Sequence, residues 1–309
     1  MTTSFLPEGR LLGTPENTAA CATADALASA LAGGRVLEGE ALLCDEAHDL
    51  AVKVGPFTGR IPRAETALGV AEGTTRDIAI LSRVGKPVCF MVESLETVDG
   101  ALRPLLSRRR AQALALEQML AWTPGRVVPA TVTHLEPFGA FVDVGCGVCS
   151  MIGVERLSVS RISHPGERLR VGQEIFAAVL GVDLENRRVC LTHRELLGTW
   201  AENAALFRPG MTVPGHVRGL KEYGAFVELT ANLSGLAETK PGVSDGDRVS
   251  VYIKSILPEK RKLKLLIIDT LPPTDGPAAL RYFITSGVLK RWRYAPEGCE
   301  RPGGETVFE

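Results

Sequence analysis

Along most of this chain hydrophobic residues come in short runs broken by glycine, not at a spacing of three or four. Residues 35–43 read RVLEGEALL, residues 50–55 LAVKVG, residues 78–84 IAILSRV and residues 87–95 PVCFMVESL. Runs of this length, bounded by glycine and proline and often alternating, predict β-strands. Helical texture is confined to four places. Residues 15–32 are alanine-rich, with Pro15 after Thr14 and Gly33 past the end, which predicts one helix. Residues 107–122 (SRRRAQALALEQMLAW) read as a second, stopped by Pro124-Gly125. Residues 195–210 read as a helical linker, and residues 276–298 as one or two short helices.

The strand-rich part repeats. PFGAFVDV at 137–144 returns as EYGAFVEL at 222–229. Each copy follows a Pro-Gly pair (Pro124-Gly125, Pro209-Gly210), and each precedes a matched glycine and basic strand end (Gly172 and Arg187, Gly246 and Arg261). Earlier in the chain GGRVLEGE parallels PGRVVPAT, LAVKVG parallels AFVDVG, and LLSRRR parallels CLTHRE. Landmarks recurring in one order define tandem units. Short strands between turn glycines predict small closed barrels, because closure removes exposed edges. The expected fold is mainly β: tandem five-stranded OB-fold barrels with flanking and linking helices. The expected boundaries are an N-terminal helical segment (1–33), a divergent barrel plus linker helix (34–122), a barrel plus linker (123–208), a third barrel (209–270) and a helical tail (271–309). The third unit is shorter where the second has LSVSRISHPGERLR, the mark of a surface loop.

Alternation also assigns faces. Ala140, Val142 and Val144 should point inward, as should Ala225, Val227 and Leu229. Phe141 then shares a side with Asp143, and Phe226 with Glu228. Because carboxylates are seldom buried unpaired, this side is expected to face solvent. Gly139 and Gly224 permit a kink that brings Phe138 and Tyr223 beside those rings. Paired exposed rings on a barrel suit unpaired nucleobases, at about 1–3 kcal/mol per stacked base. Arg187 and Arg188, and Lys260, Arg261, Lys262 and Lys264, stand where phosphates would pass. The competing reading packs one ring of each pair under a loop. In the first unit Leu50, Val52 and Val54 keep the inward face, but His48 and Ala51 replace the aromatics. That unit is expected to keep the fold without the platform, in a structural or protein-binding role.

Composition narrows the classes. Hydrophobic content of 45% and charged content of 23% suit a globular chain. A net charge of −1 argues against gripping a duplex by bulk charge. No apolar run reaches the roughly 18 residues of a membrane span, and Pro7, Glu8 and Arg10 do not suit a secretory leader. A cytoplasmic chain without membrane contact is expected. Cys146 and Cys149 form a lone CxxC with no second pair, the histidines are scattered, and no HExxH, phosphate loop or GxSxG occurs. No catalytic residue, metal or cofactor is therefore expected. Two basic segments stay open. Arg108-Arg109-Arg110 either touches phosphate or the ribosome, or is a solvated helix start. The tail residues Arg281, Tyr282, Phe283, Lys290, Arg291, Trp292, Arg293 and Tyr294 either extend a binding path or pack on the last barrel.

The run PGRVVPATVTHLEPFGAFVDVG…RISHPGERLRVGQEI…VDLENRRVCLT resembles the S1 RNA-binding domain, the repeated OB-fold module of ribosomal protein S1. GMTVPGHVRGLKEYGAFVEL…DGDRVSVYIKSI…KRKLKL resembles a second copy, and the first unit a divergent third. The layout is similar to short S1-like RNA-binding proteins of Gram-positive bacteria. The resemblance implies an RNA face of two aromatics, a histidine, an aspartate and a basic residue. By motif position these fall on Phe138, Phe141, Asp183 and Arg187, and on Tyr223, Phe226 and Arg261. The histidine position holds Gly153 in one copy and Glu238 in the other, and the aspartate position holds Leu257 in the third unit. It further implies a non-enzymatic protein, monomeric, that binds single-stranded RNA or mRNA near the small ribosomal subunit. The alternative is an adaptor whose barrels bind the ribosome, RNA polymerase or a ribonuclease.

Overall fold

Each tandem unit closes into a five-stranded barrel of one topology, in a computed structural model that describes residues 5–98, 100–300 and 303–309. The first barrel comprises β1 (Leu37–Cys44), β2 (Leu50–Val54), β3 (Phe57–Ile61), β4 (Pro87–Val98) and β5 (Ala101–Ser107). The second comprises β6 (Val127–Glu136), β7 (Gly139–Asp143), β8 (Cys149–Gly153), β9 (Glu174–Asp183) and β10 (Arg188–Thr192). The third comprises β11 (Thr212–Lys221), β12 (Gly224–Thr230), β13 (Leu233–Ala237), β14 (Arg248–Leu257) and β15 (Lys262–Thr270). Neighbours run antiparallel except where the third strand meets the fifth. Those parallel closures pair Arg60 with Leu105, Met151 with Cys190 and Leu236 with Lys264. The chain divides into two compact units, Met1–Ala121 with Asp143–Cys149, and Trp122–Val142 with Ser150–Glu309.

The inward alternation holds in all three barrels except at Leu229, which a register shift between Glu228 and Thr230 leaves half-buried. Leu50, Val52 and Val54, Ala140 and Val142, and Ala225 and Val227 are fully buried. Each such branched side chain contributes about 1.5–3 kcal/mol by leaving water. In the first unit Leu27 and Ala30 join the barrel's core cluster.

The helices depart from expectation in four places, the first being residues 78–81, where the run IAIL forms a short helix and not the expected strand. The segment 15–32 forms two helices, α1 (Pro15–Cys21) and α2 (Ala24–Ala32), because Thr23 turns extended and caps the second by accepting from Ala26 N. After α3 (Ile78–Leu81) and α4 (Arg108–Leu120), the linker is broken as well. A 3-10 turn at Arg194–Leu197 ends at Gly198 (φ 83°), and α5 (Trp200–Ala204) starts afresh with a Thr199–Glu202 capping box. Leu196 and Trp200 are thereby buried in the third barrel's core cluster.

The helical tail is overturned: among the described residues of 271–309 there is no helix. The tail forms a two-stranded sheet of β16 (Arg291–Arg293) and β17 (Glu305–Val307). Arg291 and Arg293 face solvent while Trp292 and Tyr294 are buried, a period-two pattern that belongs to a strand. The arginine run is also resolved. Arg108 is buried against Glu8, while the half-buried Arg109 pairs with Glu65 and the exposed Arg110 with Glu93, so each arginine of the helix start has a carboxylate partner. Burial works against ionisation of Glu8, but the Arg108 and Arg83 guanidiniums outweigh it and lower its pKa. Among the described residues no helix is long and apolar enough to cross a membrane.

Candidate nucleic-acid interface

In both repeats the glycine of the FGAF and YGAF motifs fixes where the rings go. A Cβ on Gly139 would lie 2.5 Å from the Ile152 carbonyl oxygen, and one on Gly224 (φ 150°) 2.6 Å from that of Ala237. Only glycine lets the neighbouring strand approach so closely. The residue before it is then carried to the outer surface beside the ring two positions after it. Phe138 is 57% exposed and meets Phe141 edge-on, with centroids 6.0 Å apart at 88°. Tyr223 is 69% and Phe226 37% exposed, and they repeat the arrangement at 6.2 Å and 88°. Phe141 is half-buried.

The carboxylates expected on the same side do not face solvent. Asp143 is buried and accepts from the N–H groups of Glu8, Gly145 and Gly147. Burial, with the Glu8 charge adding to it, pushes its carboxyl up to about 7. Glu228 is buried between Arg168 and Arg218. Both are satisfied by partners distant in sequence, which alternation alone does not reveal.

Side chains that the motif did not mark complete the faces, two on the second barrel and one on the third. His134 on β6 stands 6.2 Å from Phe141, its ring tilted by 36°. It returns an imidazole to the second barrel, whose family position for one holds Gly153. The signal was its place four residues before Phe138; the third barrel has Gly219 at the corresponding position. Met151 and Leu236, on the neighbouring strands, are exposed apolar residues. In the third barrel Phe226, Leu236 and Lys264 lie in register across three strands, a row of ring, apolar surface and ammonium.

The basic groups sit at matching turns. Arg187 and Arg261 both adopt φ 50°, a left-handed conformation costing about 1–2 kcal/mol for a residue with a Cβ. Arg188, Lys260 and Lys262 are exposed beside them. Asp183 organises the first of these turns. Its carboxylate accepts from Asn186 N at 3.0 Å and Asn186 Nδ2 at 2.8 Å, which lowers its pKa. Arg188 is its register partner across the ladder. Arg261 lies over the Tyr294 ring, 5.2 Å from its centroid. Glu238 is exposed but paired with Lys254 at 3.0 Å, which offsets its charge. The first barrel carries Ala51 and a left-handed His48 (φ 63°) in place of the rings, with His48 Nδ1 3.5 Å from Asp77. Among the described residues no group of three or more His, Cys, Asp or Glu is arranged to hold a metal.

Parts of this chain are similar to known proteins. Residues 123–194 match the family described as S1 RNA binding domain. The chain is 32% identical over 188 residues to small ribosomal subunit protein bS1 of Leuconostoc lactis, a match covering 55% of this chain and 44% of that protein. It is 33% identical over 158 residues to the small ribosomal subunit protein bS1 homolog of Bacillus subtilis, covering 49% and 41%. These matches span less than half the length of either relative. A solved multidomain protein with nucleic acid binding domains from Streptococcus pneumoniae aligns over 75% of this chain and 73% of its own, at 16% identity and a TM-score of 0.26. Residues 123–194 thus match the S1 RNA binding domain family, in a chain similar over about half its length to small ribosomal subunit protein bS1.

Proposed function

We propose that this chain binds single-stranded RNA, mRNA among it, on its second and third barrels and acts beside the small ribosomal subunit. The observation that carries this reading is the edge-to-face ring pair built twice on equivalent strands and left open to solvent. Bases stack on Phe138, Phe141, Tyr223 and Phe226, and Arg187, Arg188, Lys260, Arg261 and Lys262 meet the phosphates. Asp183 holds the turn that presents two of those cations. Binding needs no bond to be made or broken, so the reading is that of a non-enzymatic module. Stacking tolerates sequence, so discrimination among bases is modest. Two platforms on one chain raise the effective concentration of each for a strand held by the other. The first barrel, without rings, adds little to this affinity.

The test is binding of one oligoribonucleotide as a single strand and as a duplex over a range of salt. The single strand should bind more tightly, with a shallow slope, since each neutralised phosphate contributes only about −0.7 to it. Equal affinity for both forms would refute the reading. Sedimentation of cell extract then asks whether the chain travels with the small subunit.

A further inference from the structure

The third barrel borders a cavity that none of the four platform rings lines. It measures about 470 Å³, inside the range of roughly 300–1,000 Å³ usual for small-ligand sites. Strands β11 and β12, Arg248 of β14, residues 166–168 and residues 274–281 of the tail surround it. The tail segment forms no regular structure there. It is held by Arg170, which donates to the Asp275 carbonyl, and by Arg248, which donates to the Pro272 carbonyl at 3.2 Å. Glu228, His216 and Arg248 are register partners across β12, β11 and β14, so the imidazole stands between a carboxylate and a guanidinium.

Four arginines line the cavity against three carboxylates. Arg168 and Arg218 are matched, since they share Glu228 and Arg218 also pairs with Glu167. Arg248 and Arg281 have no carboxylate partner among the described residues; Arg281 lies 5.7 Å from the Phe283 ring centroid. Asp275 is exposed and likewise unpaired, which leaves an excess of one positive charge. His216 is half-buried and its ring has no hydrogen-bond partner among the described residues. Burial lowers its pKa, and Arg218, Arg248 and Arg168 lower it further against the pull of Glu228, so the ring is neutral at pH 7 and sits in a positive field. A phosphate monoester carries up to about two negative charges at neutral pH. The excess cation plus a proton taken up by His216 would balance it, and guanidinium forks match phosphate oxygens. We propose that this cavity binds a phosphate monoester, with Arg248 and Arg281 pairing with its oxygens and His216 donating a ring N–H to them. The monoester comes either from a free nucleotide or from the 5′ end of an RNA strand.

The test follows the imidazole signals of the full chain by NMR at fixed ionic strength. The sequence has 5 histidines, and His216→Gln assigns the signal of interest. The probes are uridine 5′-monophosphate, uridine, and one short oligoribonucleotide with either a 5′ phosphate or a 5′ hydroxyl. A phosphate monoester should move the His216 signal and raise its pKa. Movement with uridine 5′-monophosphate identifies free nucleotides as the source, and movement with the 5′-phosphorylated strand alone identifies the RNA end; either supports the inference. Arg248→Gln and Arg281→Gln should each lower affinity for the monoester that binds about tenfold, and Asp275→Asn should raise it. Arg281 and Asp275 are exposed, so their variants fold even if Arg248→Gln does not. A His216 signal that no monoester moves, or that uridine or the 5′-hydroxyl strand moves equally, overturns the inference, as does Arg281→Gln binding like the parent.

Discussion

Replacing Glu228 by glutamine removes a buried carboxylate that two guanidiniums share. Arg168 is buried and pairs with Glu228 through one terminal nitrogen, while its Nε donates to Ser158 Oγ at 3.0 Å. Arg218 donates from Nε to Glu228 at 2.9 Å and also reaches Glu167. Breaking a buried pair costs about 3–5 kcal/mol, because the remaining charge is left uncompensated. Here Arg218 keeps Glu167 and is partly exposed, so the loss sits at the lower end, about 3 kcal/mol. Against a total stability of about 5–15 kcal/mol, that is a large fraction. Urea denaturation followed by tryptophan fluorescence reads it as a shift in midpoint at constant slope. Replacing both partners, Arg168→Met with Glu228→Met, should recover most of the loss, since a well-packed apolar pair can replace a buried ion pair. A loss below about 1 kcal/mol for Glu228→Gln, or a double variant worse than the two single ones combined, would refute the reasoning.

His193 is fully buried, with Nδ1 2.8 Å from the Leu157 carbonyl and Nε2 2.8 Å from the Tyr282 hydroxyl, and burial lowers its pKa to about 4. The unfolded chain takes up this proton first, so stability is complete above about pH 6.5 and falls by up to about 3 kcal/mol as the pH drops toward 4. His193→Gln should flatten that slope in melting temperature against pH. Arg187→Gly and Arg261→Gly should keep stability within about 1 kcal/mol of the parent, because glycine relieves the left-handed strain, while binding of single-stranded RNA weakens. His134→Ala should weaken binding by the second barrel severalfold. Gly219→His should strengthen the third, since Gly219 pairs in register with Phe226 and a Cβ there meets nothing within 4 Å. Both are read by fluorescence anisotropy with a labelled oligoribonucleotide.

The three-barrel architecture was legible because inward residues alternate with outward ones on strands of ordinary length. The ring pairs were legible because the motif repeats with its glycine. What the sequence hid is of one kind. Asp143 and Glu228 are buried by partners that lie far away in the chain, and no local pattern records them. Residues 276–298 form no helix, and within them Arg291-Trp292-Arg293-Tyr294 carries the alternation of a strand. The first arginine run looked like a surface feature because its carboxylate partners, Glu8, Glu65 and Glu93, are distant in sequence. His134 stands outside the family's own histidine position, which holds Gly153 in one copy and Glu238 in the other.

The most direct measurement is the affinity of a single-stranded oligoribonucleotide, long enough to span both platforms, for three chains: the parent, Phe138→Ala with Phe141→Ala, and those two combined with Tyr223→Ala and Phe226→Ala. At about 1–3 kcal/mol per stacked base, losing one platform should cost about tenfold or more, and losing both should leave only weak, strongly salt-dependent binding. Near-parental affinity in the chain lacking all four rings, with its fold intact by circular dichroism, would contradict the account.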